Sequence, residues 1–148
     1  MRIKSAQLNN LEELINLYAN HLDRDNNSTD VDKIKAYTLL KSMIEDKGYK
    51  ILVAQEEGQI VSSVTILIVK NLTHNLRPYA IIENVVTHEK HRKQGYGRAL
   101  IQEACSVAEE NNCYKITLTT GRKDPEILKF YENCGFNKND KTAFIKWL

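Results

Sequence analysis

The run Glu83-Asn84-Val85-Val86-Thr87-His88-Glu89-Lys90-His91-Arg92-Lys93-Gln94-Gly95-Tyr96-Gly97-Arg98 carries more information than any other part of the chain. It starts as an apolar strand, passes through a basic turn with two glycines, and enters a helix. A helix start leaves its first backbone N–H groups unpaired, and the helix dipole favours an anion beside them. Gly95 and Gly97 remove side chains that would hold a phosphate at a distance. Lys90, Arg92, Lys93 and Arg98 supply positive charge against the single acid Glu89. The stretch reads as a cradle for a pyrophosphate. A tight turn with a solvated basic face is the plainer alternative. Neither the Gly-x-x-x-x-Gly-Lys-Ser/Thr pattern nor the Gly-x-Gly-x-x-Gly spacing is present.

Upstream, Tyr79 to Thr87 is a strand, and a loop with His74, Arg77 and Pro78 precedes it. Tyr49 to Gln55 and Ile60 to Val69, rich in β-branched residues, flank Glu57-Gly58-Gln59 as a hairpin. Further back, Leu8, Leu11, Ile15, Tyr18 and Leu22 recur at helical spacing, with Asn10 and Glu13 placed as a capping box. Asp23 to Asp30 reads as a loop. Ile34, Tyr37, Leu40 and Ile44 give a second helix that stops near Gly48.

Downstream, a helix runs from about Tyr96 to Asn111 with Leu100, Ala104, Val107 and Ala108 on one face. Tyr114 to Thr119 is a strand. Asp124-Pro125 opens a short helix that Gly135 closes, and Ala143 to Leu148 reads as a last strand. The order implies a mixed α/β fold, with a central sheet whose last strands are joined by helical crossovers.

The bulk properties narrow the function classes. The 148 residues carry no repeat, low-complexity tract or linker, so residues 1–148 are expected to form a single domain. A net charge of +2 with no aromatic stacking platform argues against nucleic acid as a partner. No apolar run approaches the ~20 residues of a membrane span, and no signal-peptide core follows Met1. Cys105, Cys113 and Cys134 are odd in number and lack metal-like pairing, as expected of reduced thiols in a cytoplasmic protein without a membrane partner. His88 and His91 are three apart in a turn with no third ligand in view, so no metal is expected.

Arg92-Lys93-Gln94-Gly95-Tyr96-Gly97 resembles the Arg/Gln-x-x-Gly-x-Gly/Ala signature of the GCN5-related N-acetyltransferase (GNAT) superfamily. Leu128-Lys129-Phe130-Tyr131-Glu132-Asn133-Cys134-Gly135-Phe136 resembles its Phe-Tyr-x-x-x-Gly-Phe segment. One helix and one strand separate the two blocks, as in the superfamily. The resemblance implies an α/β (α+β) N-acyltransferase fold, with a mixed, mostly antiparallel sheet flanked by about four helices. It implies an acetyl-CoA-dependent N-acetyltransferase that transfers acetyl directly to a primary amine of a small molecule, without a covalent acetyl-enzyme.

On this resemblance, backbone groups of Val85, Val86 and Thr87 would pair with the pantetheine arm, one N–H polarising the thioester carbonyl. Amides of Arg92, Lys93, Gln94, Gly95, Tyr96, Gly97 and Arg98 would hold the pyrophosphate. Asp124 stands where relatives often place a cofactor-contacting Asn; Asp there is a departure, and a helix cap is the plainer reading. Tyr131 matches a tyrosine near the cofactor sulfur, able to protonate the leaving thiolate; a core tyrosine is the alternative. Glu83 interrupts an apolar run and is the candidate base, burial being expected to raise its pKa; a structural ion pair is the alternative.

Ile82-Glu83-Asn84-Val85-Val86, Cys113-Tyr114-Lys115-Ile116 and the block from Lys129 to Phe136 look similar to the glucosamine-6-phosphate N-acetyltransferase branch. That branch generally has an acid where this chain has Asn84. An amino sugar is therefore the first acceptor to consider. His74, Arg77 and the loop Thr119-Thr120-Gly121-Arg122-Lys123 are expected to border the acceptor site. A protein lysine or N-terminal acetyltransferase and a non-catalytic acyl-CoA sensor are the competing readings. Homodimers are common among relatives, and by that analogy Phe144 to Leu148 would pair or swap between subunits.

Overall fold

The structure is a computed structural model that describes residues 1–22, 25 and 27–148; the part of the expected 23–30 loop at positions 23, 24 and 26 lies outside the described residues. In chain order the elements are β1 (Arg2–Ser5), α1 (Leu11–Leu17, continued by a π turn over Tyr18–Leu22) and α2 (Lys33–Glu45). The hairpin β2 (Tyr49–Glu56) and β3 (Gln59–Val69) follows, then β4 (Tyr79–Thr87), α3 (Tyr96–Glu110), β5 (Ile116–Leu118) and α4 (Pro125–Asn133). The strands form one sheet in the order β1-β2-β3-β4-β5, antiparallel except for the β4–β5 pair. A parallel neighbour needs a crossover, and α3 provides it.

Residues alternate between the two faces of the sheet. Leu52 and Ala54 of β2 join Val64, Ile66 and Ile82 in a core beneath α3, where Leu100, Ala104, Val107 and Ala108 are buried. Ile51 and Val53 point the other way, into a second core with Leu14, Leu17 and Leu40 of α1 and α2. The helical spacing expected for α3 is thus the face that packs, and each fully buried Leu or Ile is worth about 1.5–3 kcal/mol.

Three expectations change. β1 was not foreseen; it is held by antiparallel pairing of Arg2 to Ser5 with Gln55 to Leu52. In α2 only Leu40 of the expected apolar face is buried, while Ile34, Tyr37 and Ile44 are exposed. The register that seats Leu40 on the sheet turns the rest of that stripe outward. The segment Ala143 to Leu148 is not a strand, since it has no sheet partner. A strand exists only through its ladder.

Candidate active site

The site grows from an irregularity in β4. Thr65 faces Glu83 and Ser63 faces Val86, so Asn84 and Val85 together oppose the single residue Val64. The extra residue is a β-bulge, and Asn84 takes it up with φ 52°. Asn tolerates the left-handed region better than most residues with a β-carbon. A bulge bends the strand that carries it. Pairing with β5 accordingly ends at Ile82–Leu118, five residues before β4 itself ends at Thr87. Beyond that point the β5-facing edge of Glu83 to Thr87 has no strand partner among the described residues, which leaves a gap in the ladder.

The gap leads to the start of α3. Gly95 occupies the N-cap with φ 90°, and no side chain caps the helix. Its first-turn N–H groups are therefore open to a ligand. A β-carbon at Gly95 would touch nothing within 4 Å, so glycine is required there by conformation and not by space. At Gly97 a β-carbon would stand 3.4 Å from Phe130 Cζ and 3.5 Å from Thr87 Oγ1, ordinary contact distances, so α3, α4 and β4 meet there without the glycine being required by space.

Side chains in the basic turn mostly hold the turn itself. Arg92 donates from Nε to the Thr87 carbonyl at 3.1 Å and from Nη2 to the His21 carbonyl at 3.4 Å, bracing β4 against the end of the α1 region. Gln94 Nε2 donates to the Lys90 carbonyl at 2.9 Å. Lys93 is 3.5 Å from Glu126 at the start of α4. Tyr96 is buried and its hydroxyl donates to the Glu56 carboxylate. What these residues present toward the gap is thus chiefly backbone, with Arg98 exposed beside it. Ser62, fully buried in β3, donates to the Val86 carbonyl at 2.7 Å and lies 2.8 Å from Thr87 Oγ1, pinning the divergent end of β4.

Glu83 does not sit as expected. It is exposed, so the premise of a desolvated carboxylate fails. The bulge places it on an open rim, near enough to Tyr49 and Tyr131 for its charge to raise both phenols. Burial is the larger cause in each case. Tyr131, half-buried on α4 with its ring 5.1 Å from that of Phe130, therefore keeps its proton more firmly than a free tyrosine. Tyr18 lies over the sheet 3.2 Å from Ser63 Oγ and is also raised by burial. The sequence reading gave the contact between Tyr18 and Ser63 no place, and named Tyr18 and Tyr49 only as parts of a helix and a strand. The signal was present in the three hydroxyls of Ser62, Ser63 and Thr65, set inside an otherwise apolar strand.

Asp124 makes no side-chain cap to α4; its carboxylate takes Arg122 Nε at 2.9 Å. His74 and Arg77 stand at the far end of β4. Arg77 donates to the carbonyls of Asn112 and Cys113, and His74 stacks on Tyr114 at 3.8 Å, so both stabilise the β3–β4 loop against the end of α3. Burial raises all three thiols, which disfavours their ionisation. A surface cleft of about 490 Å³ beside Glu13, Asn20, His21, Gln59 and His88 is bordered by neither Glu83 nor Tyr131.

A sheet opened after a bulge, facing an uncapped glycine-led helix, can take an extended amide-containing chain ending in phosphates. The model of the Acetyltransferase (GNAT) family matches residues 11–136. The chain belongs to the GNAT family. A solved chain from Agrobacterium tumefaciens str. C58, described as a candidate acetyltransferase, is 39% identical with a TM-score of 0.90, covering 99% of this chain and 100% of that one. A transcriptional regulator from Bacillus halodurans C-125 is 28% identical with a TM-score of 0.89, covering 99% of each chain. A glucosamine 6-phosphate N-acetyltransferase of Trypanosoma brucei brucei is 34% identical over 92 residues, which are 62% of this chain and 60% of that protein. The chain spans about half to three fifths of the length of the curated relatives it matches first. The fold of this GNAT protein agrees with the expected mixed, mostly antiparallel sheet with four main helices.

Proposed function

We propose that this GNAT protein is an N-acetyltransferase that moves acetyl from acetyl-coenzyme A to a primary amine of a small molecule. The observation that carries the reading is the unpaired end of β4 beside the uncapped start of α3. An extended chain bearing amides fits the first, and a pyrophosphate fits the second. Val85, Val86 and Thr87 would line the pantetheine arm, and the backbone from Arg92 to Arg98 would receive the pyrophosphate. Asp124, tied to Arg122, would stand at the rim near the cofactor. Acetyl-coenzyme A supplies the electrophilic thioester carbonyl.

The chain's own groups handle protons. Tyr131 holds a proton at Oη, ready for the thiolate that leaves as the new N–C bond forms and the C–S bond breaks. Burial, which raises this phenol, keeps it in the donor form at neutral pH. Glu83, open to solvent, accepts the proton released by the ammonium group, directly or through water. A backbone N–H of the bulged strand faces the carbonyl oxygen as charge builds there. The thiols, held protonated by burial, need take no part, which favours direct transfer over an acetyl-enzyme.

For the acceptor, an amino sugar is the class that the named relatives favour, since several are glucosamine 6-phosphate N-acetyltransferases. Release of free thiol from acetyl-CoA, followed over amino sugars and their phosphates, polyamines, amino acids and peptides, tests the reading. Turnover on one class should fall about 10²–10⁴-fold in Glu83→Gln and in Tyr131→Phe, with cofactor affinity retained. Cofactor binding without turnover on any amine would instead identify an acyl-CoA sensor, and turnover on peptides alone would identify a protein acetyltransferase.

A further inference from the structure

The start of α3 has no capping side chain, yet its direction is fixed from another side. Gly95 is the N-cap, and the Ala99 N–H is the first to find a carbonyl, that of Gly95 at 2.9 Å. The N–H groups of Tyr96, Gly97 and Arg98 come before it. A Ser, Thr, Asp or Asn at the N-cap would steady such a start, but its oxygen would occupy one of those N–H groups. Here the steadying contact comes from Tyr96, the first residue of the helix. Its ring is buried in the core beneath α3, and its hydroxyl donates to Glu56 Oε2, across 40 positions of sequence.

Glu56 is itself well held. It is the last residue of β2 and pairs with Gln59 across the turn Glu57-Gly58. Both turn residues take positive φ, 50° and 85°, the geometry of a tight two-residue hairpin. Gln55 Nε2 donates to the Gly58 carbonyl at 3.2 Å and closes the same turn. A phenol on a carboxylate makes a charge-assisted bond, about twice as strong as a neutral one. That bond is the main cause holding the Glu56 carboxyl below the usual carboxylate range. The Tyr96 ring also meets His91 of the basic turn edge-on, with centroids 5.8 Å apart. One side chain thus ties together the hairpin tip, the basic turn and the first turn of α3.

We infer that Glu56 is a positioning residue of the cofactor site. Through Tyr96 it aims the open N–H groups of α3 at the pyrophosphate without occupying any of them. The inference rests on the reading of that helix start as a pyrophosphate site.

Urea midpoints with and without ligand test it, using acetyl-CoA, which carries the pyrophosphate, and S-acetylpantetheine, which lacks it. The increment a ligand adds to the midpoint reads its affinity, apart from any change in the stability of the free protein. The parent should gain from both ligands. Glu56→Ala should weaken acetyl-CoA on the order of tenfold, the usual cost of losing a contact that supports a ligand-binding group. Its gain from S-acetylpantetheine should match the parent's. Tyr96→Phe, which keeps the ring and loses the hydroxyl, should weaken acetyl-CoA as much, and the double variant no further. Glu56→Gln, whose amide oxygen still accepts the bond, should recover part of the affinity. Parent-like acetyl-CoA affinity in both Glu56→Ala and Tyr96→Phe would overturn the proposal. So would equal losses for the two ligands, which would mean a general loosening of the fold, or Glu56→Gln as weak as Glu56→Ala. A parent chain that gains nothing from acetyl-CoA would sink the pyrophosphate reading itself, and the proposal with it.

Discussion

Gly95 and Gly97 stand two residues apart in the signature turn, yet the structure gives them different reasons to be glycine. Gly95 has φ 90° and open space where a β-carbon would go. Replacing it with alanine therefore costs only backbone strain, about 1–2 kcal/mol for an L-residue held in the left-handed region. Gly97 has no such φ, and its added β-carbon would make ordinary contact with Phe130 and Thr87 at 3.4 and 3.5 Å. Gly97→Ala should range from neutral to about 1 kcal/mol stabilising, since alanine is the better helix former. Urea denaturation of the cofactor-free protein measures both. At a typical slope of ~1–3 kcal/mol per molar, the Gly95→Ala midpoint should fall by roughly 0.3–2 M. Repeating the titration with acetyl-CoA separates stability from binding, because a ligand specific for the folded state raises the midpoint according to its affinity. Both variants should gain less from acetyl-CoA than the parent, Gly95→Ala by misdirecting the helix-start amides and Gly97→Ala by crowding them. Equal stability costs in the two variants, or a Gly95→Ala midpoint equal to the parent's, would refute the assignment of a left-handed cap.

Ser62→Ala should destabilise by about 1–3 kcal/mol, because it removes the buried hydroxyl that satisfies the Val86 carbonyl; the same variant should weaken acetyl-CoA binding by loosening the end of β4, and calorimetry reads that effect. Stability should decline on the alkaline side. Burial raises the thiols of Cys105, Cys113 and Cys134, so the folded state holds those protons more tightly than the unfolded chain. The stabilisation is complete below the ordinary thiol pKa of about 8.5 and is lost as pH rises beyond it. Tyr18, Tyr49 and Tyr131, also raised by burial, extend the decline above about pH 10. Urea midpoints taken across that range should fall, and a flat profile would contradict the burial. On the acid side, burial first and His91 second lower the pKa of His88. Stability tied to it is present above about 6.5 and falls with decreasing pH; in His88→Gln that part of the acid decline should disappear.

Most of the frame could be read from the chain because its signals are local. β-branched runs marked β2, β3 and β4, and the spacing of Leu100, Ala104, Val107 and Ala108 marked α3. The glycine pair marked the turn that leads into α3. What was hidden depends on partners distant in sequence. β1 has one apolar residue in four, Ile3, and is a strand because β2 pairs with it. The α2 pattern identified a helix but chose the wrong stripe to bury, since period alone does not say which residues meet the sheet. Glu83 was expected to be desolvated because its neighbours are apolar. The bulge at Asn84 instead sets it on an open rim, and a bulge is a property of register between two strands. An asparagine inside an apolar strand was its only visible trace. Tyr18 reaches Ser63 across 45 positions of sequence, beyond any local pattern.

Titration calorimetry with acetyl-CoA tests most directly the claim that the end of β4 and the start of α3 form a cofactor site. The account predicts saturable binding of one acetyl-CoA per chain, weakened in Gly95→Ala while the circular dichroism stays that of the parent. Absence of binding heat, together with no rise in the urea midpoint at millimolar acetyl-CoA, would contradict it.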